Sequence, residues 1–391
     1  MKKSLFKAFS MALLASAAVL TSCSSDDGNN NGPSSTFVLD ANNFKGTIND
    51  GEVVLKTGVT YKLSGKLVVA NGAKLTIEPG AIIEATARPD NSTEDIRYIA
   101  VAQGGQIFVN GTATNPVVMT SSVKSPGKWG GLVICGKAPI NKGATASAEV
   151  SDLTYGGTLA NDNSGSIRYL RIEYSGYAYN SEKEFNGLSL FGVGSGTTIE
   201  YVQVHEGADD GIEFFGGTVN TKYLISTSNE DDSFDWTEGW NGTNENWYGK
   251  LGLGRGNRGI EADNNSNNHL ATPIANPNIK NLTLIGLGAQ GSESQALKLR
   301  VGTKGQFDNL VLSNFVTGFD VQHNESIGYV ANGTLKATNV RFDNITTKSA
   351  GKNTDGTTVD VSAIYTESTT ATGAGNGTAT PSWAQGWTVG L

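Results

Sequence analysis

Residues 199–215 read IEYVQVHEGADDGIEFF, and residues 221–237 read TKYLISTSNEDDSFDWT. Laid over one another without a gap, they pair Tyr201 with Tyr223, Asp209 with Asp231, Asp210 with Asp232, Ile212 with Phe234 and Glu213 with Asp235, always 22 apart. Leu297 in QALKLR and Phe319 in TGFDVQ keep the same offset. Elsewhere the spacing stretches. Leu67 in LVVANGAKLTI matches Ile99 in IAVAQGGQIFV, and Ile167 in IRYLRI matches Ile199, each 32 apart. The polar stretch from Arg88 to Arg97 and a loop within EYSGYAYNSEKEFN absorb the surplus. Asn186 in NGLSLFG matches Asp210 in DGIEFFG.

A period of about 22 with three short strands per repeat is what a parallel β-helix requires, because each coil buries little alone and stacking builds a continuous core. Sandwiches and barrels also have many short strands, but they need no fixed register with insertions between strands. The expected fold is all-β: a single-stranded, right-handed parallel β-helix from about Phe37 to Phe342, with no second globular domain. Glycine and asparagine would supply left-handed backbone angles at the corners. The stretch from Asn344 to Pro381, rich in Thr, Gly, Ala and Ser, is expected to be irregular. Residues 344–391 would then form a cap, with Trp383 and Trp387 folding back over the last coil, since an open end exposes apolar core and unpaired edges.

Composition narrows the function classes. The 391 residues include 50 glycines, 2 cysteines and 3 histidines, with a net charge of −8. An acidic chain is a poor partner for a phosphate backbone, so nucleic acid is not expected. So few His and Cys argue against a zinc centre built on them. His205, His269 and His323 are scattered along the chain and read as solvent or turn residues. Cys135 lies in the apolar run WGGLVICGKAPI and reads as a buried, inert thiol.

The first residues read as a leader. Lys2, Lys3 and Lys7 precede an apolar run from Ala8 to Leu20, too short to span a bilayer and suited to a signal peptide. The run ends in Leu20-Thr21-Ser22-Cys23, which looks like a bacterial lipobox, so residues 1–22 would be removed and Cys23 acylated. Removal takes three lysines and no acid, making the mature chain more acidic still. Residues 23–36, including SSDDGNNNGPSS, read as a flexible polar tether. Asp26 and Asp27 just after the cysteine resemble a surface-export signal, which points to lipid anchoring in the outer membrane with the body at the cell surface.

The strings LTIEPGAII, WGGLVICGKAPIN, NGLSLFGVGSGTTIEYVQV, DDGIEFFGGTVNTKYLI and the Asp-Asp-Ser-Phe-Asp run resemble a family of Bacteroidota surface lipoproteins and secreted proteins with right-handed β-helical bodies. The resemblance covers the whole mature chain. It implies the fold and the surface address, and no chemistry.

Three constellations are candidates for chemistry. The first is acidic. In a β-helix, residues one period apart stack about 4.8 Å apart, so Asp209, Asp210 and Glu213 would lie over Asp231, Asp232 and Asp235. At ~5 Å and an effective dielectric near 20 each like pair repels by ~3 kcal/mol. A calcium ion, which takes six to eight oxygens, would offset this; alternatively the aspartates cap turns through backbone N–H groups. Glu230 and Asp263 are secondary members. The second is aromatic: Trp236, Trp240, Trp247 and Tyr248 in the polar stretch DWTEGWNGTNENWYG could present flat faces to a sugar, with Tyr174, Tyr177 and Tyr179 extending that surface. Alternatively, the rings cover or plug the coil stack. The third is catalytic. Lys298 and Arg300 alternate onto one face of QALKLR and are the only weak candidates for the base of a polysaccharide lyase. The aspartate pair Asp231-Asp232 lacks the Gly-His-Gly and Arg-Ile-Lys strings of polygalacturonase-like hydrolases. The expectation is therefore a non-catalytic surface lipoprotein binding a glycan or a partner protein along an acidic face. A polysaccharide-active enzyme is the rival, and a structural subunit of an outer-membrane assembly the third reading.

Overall fold

The computed structural model describes residues 34–88, 96–180 and 183–391. Cys23 and the leader lie outside these. The described part forms one compact unit, in which 24 strands join a single hydrogen-bonded system. Every pairing within it is parallel and links one coil to the next, so the chain is a parallel β-helix with three faces.

Face A begins at Phe44–Ile48 and ends at Thr347–Lys352, passing through Leu132–Cys135, Leu188–Phe191, Ile212–Phe215, Phe234–Thr237, Ile260–Ala262, Gln295–Leu299 and Thr317–Gln322. Faces B and C are the two halves of long bent strands: Gly165–Glu173, Thr198–His205, Asn220–Thr227, Thr243–Lys250, Asn278–Ile285, Gly305–Ser313 and Leu335–Asp343. The predicted registers hold. Leu67 pairs with Ile99, Ile167 with Ile199, Leu188 with Ile212, Glu213 with Asp235, and Leu297 with Phe319.

Each long strand bends at one left-handed residue: Tyr169, Tyr201, Tyr223, Asn246, Asn281, Asn309 and Asn339, with φ from 51° to 62°. Asparagine tolerates this conformation through its short polar side chain. The tyrosines compensate by stacking, Tyr169 on Tyr201 and Tyr201 on Tyr223, with ring centroids 4.3 Å apart in both pairs. The asparagines continue the column as a hydrogen-bonded ladder: Asn281 Nδ2 donates to Asn246 Oδ1 at 3.1 Å, and Asn309 Nδ2 to Asn281 Oδ1 at 2.8 Å.

Alternation on face A sends Leu188, Ile212, Phe234, Ile260, Leu297 and Phe319 inward, all fully buried in one apolar column. Burial of such columns is the main stabilising term. The intervening residues point outward and carry the candidate site.

Two expectations about the C-terminal part need correction. The coils do not stop at Phe342: Thr347–Lys352 adds another rung to face A, and Ala337 pairs with Tyr365. Buried Val361 and Ile364 pack into the main core at this end. Trp383 and Trp387 do not cover the last coil either. The tail runs back along face C, passing Arg341, Asn309, Thr283, Tyr223 and Gln203 in turn. Trp387 is fully buried edge-on against Tyr169 and Tyr201. The outward row of face C includes Ile225 and Tyr248, and this apolar flank is what the tail covers.

Candidate functional site

Three columns of outward groups converge at the start of face A. Asn186, Asp210, Asp232 and Arg258 occupy equivalent places in successive coils, as the backbone bonds Gly187 N to Asp210 O, Gly211 N to Asp232 O and Ser233 N to Arg258 O show. Ser189, Glu213, Asp235, Glu261, Lys298 and Asp320 form the second column by direct strand pairing. Asp263 and Arg300 lie one step further out on their coils and bond to each other at 2.7 Å. The acidic ladder expected from the repeat therefore exists. Carboxylate oxygens of Asp209, Asp210 and Asp231 lie within 4.8 Å of one another, as do those of Asp210, Glu213 and Asp235, and those of Asp232, Asp235 and Glu261.

The turn-capping alternative is also met, by some of the same atoms. Asp232 N–H donates to Asp210 Oδ1 at 2.9 Å, and Arg258 N–H to Asp232 Oδ1 at 2.7 Å. Each of these aspartates caps the next coil with one oxygen. Asp232 gives its other oxygen to Arg258 at 3.1 Å.

Charge is distributed unevenly along the ladder. At the C-terminal end Arg258 also reaches Glu261 at 2.8 Å and contacts Glu293; Lys298 reaches Glu293 at 3.2 Å; Arg300 contacts Glu261 and Asp263. The third carboxylate group thus already holds a guanidinium. At the N-terminal end, Asp209, Asp210, Glu213 and Asp235 have no ion-pair partner among the described residues. Loops add charge of the same sign, Glu149 beside the hairpin of Ala146–Ser147 with Thr154–Tyr155 and Glu184 from the preceding coil. Burial first, and neighbouring carboxylates second, raise Asp210, Glu213 and Asp235 well above the ordinary carboxylate range. The same causes place Asp209 at about 8. Asp232 is raised to about 7, because burial and Asp231 outweigh its arginine.

The donor set fits a hard cation. Calcium takes carboxylate and amide oxygens 2.3–2.6 Å away, so opposite ligands sit about 5 Å apart. Asn186 supplies a further observation: its Nδ2 donates to Glu213 Oε2 at 2.6 Å, while its Oδ1 is buried with no partner. An orphaned buried acceptor costs ~1–3 kcal/mol. Asp210, Glu213 and Asp235, with Asp209 and Asp231 beside them, are the residues that would hold the ion.

Other expected site residues fare differently. Trp236, Trp240 and Trp247 are fully buried, and Tyr248 is 1% exposed. Trp240 and Trp247 stack on Phe214 inside the helix, 3.9 and 5.8 Å between centroids. Tyr248 lies under the C-terminal tail. None offers a face to a sugar, so the aromatic platform is withdrawn. Tyr177 and Tyr179 pack half-buried against the cluster around Phe185. Glu230 faces Arg255 at 3.7 Å. Cys135 is buried and its thiol is pushed up to about 12 by burial, matching an inert role. His205 bonds Thr227 Oγ1 at 2.8 Å. His269 and His323 are not isolated: their rings lie 4.9 Å apart, with His269 bonded to Glu325 at 2.9 Å.

Glu261 was missed as a ladder member. The echo GIEA is visible in the sequence, but the loop between Lys250 and Ile260 lengthens this coil, so Asp235 pairs with Glu261 at an offset of 26 rather than 22. Pairing selects Glu261, not Asp263. Arg258, the cation built into the ladder, has no sequence signal of its own.

Comparison with known protein families matches residues 46–388 to the model described as a pectate-lyase like beta helix domain. No curated protein matches the chain.

Proposed function

Because the chain belongs to the pectate-lyase-like β-helix family, we propose that it is a cation-dependent polysaccharide-binding protein, held at the outer membrane surface by acylated Cys23. One observation carries this reading. The fold stacks Asp210, Glu213 and Asp235 within 4.8 Å of one another without a basic partner. A divalent cation there, with calcium the best match, offsets the repulsion and leaves outward coordination positions for sugar hydroxyl or carboxylate oxygens. The family fold is compatible with a polysaccharide-related role. The lipobox, the basic apolar leader and the acidic tether support the surface address.

Binding is favoured over lyase chemistry by the state of the basic groups. Lys298 and Arg300 do lie on the ladder, as a lyase needs. Burial works against the charge of Arg258 and Arg300, yet the surrounding carboxylates hold their protons more tightly than usual. Lys298 is engaged by Glu293 and Glu261. A base must release its proton near the working pH, and the two arginines are placed to keep theirs.

A panel of immobilised acidic and neutral polysaccharides, probed with and without calcium, tests the proposal. The expected result is binding to acidic chains that chelator abolishes, with no release of unsaturated sugar ends by ultraviolet absorbance. Binding indifferent to chelator, or accumulation of unsaturated ends, would count against it.

A further inference from the structure

The corner joining face C to face A changes sign along its length. Successive coils present Arg88, then Lys124 and Lys128, then Tyr174 and Tyr177, and then Glu206 and Asp209. Among the described residues this spot is basic, in a chain of net charge −8, and a local field of that sign attracts anions.

The basic coils enclose a cavity of about 230 Å³ lined by Arg88, Ser121, Val123, Gly127, Lys128 and Tyr177. The Arg88 guanidinium lies 4.3 Å over the Tyr177 ring, and Lys124 Nζ lies 5.3 Å over the Tyr174 ring. Lys124 donates to Thr120 Oγ1 at 2.9 Å, and neither it nor Lys128 has a carboxylate partner among the described residues. The acid bonded to Thr120, Glu173, is committed to Thr120 and Arg171. Ser121 is fully buried at the base of the cavity, where its Oγ accepts the Val123 N–H at 3.1 Å. Val123 adds an exposed apolar rim. Gly127 packs directly on Ala208, the neighbour of Asp209; a side chain on Gly127 would meet the Ala208 Cβ at 3.2 Å. The cavity and the ladder are therefore adjacent sites on one continuous corner.

We infer that this cavity is an oxyanion subsite, taking a carboxylate or sulfate carried on a sugar ring, with Lys128 as the donor and Val123 and Tyr177 against the ring. Naming a sugar as the carrier rests on the polysaccharide reading of the ladder; the anion chemistry stands without it.

The test is calorimetry in excess chelator, so that the ladder holds no cation. The probes are tetragalacturonate, its methyl-esterified form and a sulfated disaccharide; the tighter of the two charged probes identifies the anion. A charged probe is expected to bind at least tenfold more tightly than the ester. Lys128→Glu, at an exposed position that leaves folding intact, should weaken that binding at least tenfold, while Lys128→Arg retains it. No binding of either charged probe, equal binding of the ester, or wild-type affinity in Lys128→Glu would overturn the inference. Loss of pocket binding with an intact calcium response sinks the subsite alone, and loss of the calcium response with intact pocket binding sinks the ladder reading alone.

Discussion

Asp210 combines two roles in one carboxylate. One oxygen caps the Asp232 N–H, and the group as a whole belongs to two of the three clusters of the ladder. This coupling makes the ladder pH-sensitive in a defined direction. Asp209 at about 8 and Asp232 at about 7 hold protons more tightly in the folded chain than in the unfolded one, where an aspartate titrates near ~3.9. Cation-free protein should therefore lose stability as pH rises from about 4 to about 8. Calcium competes with those protons, so its stabilising effect should grow over the same interval. Melting curves with chelator should show a higher midpoint at pH 5 than at pH 8, and the increment from calcium should be larger at pH 8. A chelated protein that becomes more stable with rising pH would contradict the assignment. At the tryptophans the expectation is purely structural. Trp247 is fully buried and stacked on Phe234 and Trp240, so Trp247→Ala should cost about 3–5 kcal/mol in denaturant unfolding. A stable variant that has lost only glycan binding would restore the surface reading.

At the scale of elements, the C-terminal tail is tied down by few but specific contacts. Gln203 both donates to Val389 O at 2.7 Å and accepts from Val389 N at 3.0 Å, and Trp387 is inserted beside the tyrosine column. Trp387→Ala should free residues 371–391 while leaving the coils paired. Hydrogen exchange should then show protection lost in the tail and retained in strands such as Asn220–Thr227; loss of protection in both would show that the tail holds the solenoid together. How far sequence reading reached depends on which forces repeat. Strand register was legible because stacking forces equivalent residues to recur, as Tyr201 with Tyr223 and Glu213 with Asp235. The tail was not, because its partner is a flank made of residues from many coils, Arg171, Gln203, Ile225, Tyr248 and Thr283, which no local window shows together. The tryptophans misled for a related reason. Asp235-Trp236-Thr237 alternates as a strand with Trp236 inward, while the Gly- and Asn-rich neighbours that suggest an exposed loop are coil corners.

Across the whole molecule, the corner from Arg88 to Asp231 places the proposed anion pocket beside the proposed cation site, the arrangement an acidic polymer needs if it is to be held through both its own charges and a bridging metal. The proposed display at the surface rests on the other end of the chain. Cys23→Ser should release soluble protein or leave the leader uncleaved, which fractionation and intact mass would detect; unchanged membrane retention and mass would remove the anchor from the account. The central claim is that the ladder of Asp210, Glu213 and Asp235 binds a divalent cation, and calcium titration calorimetry on chelator-treated protein tests it most directly. The account predicts saturable calcium binding to the wild-type chain that Asp210→Ala abolishes, together with a rise in melting temperature seen only when Asp210 is present. No heat of binding and a melting curve indifferent to calcium and chelator would contradict it.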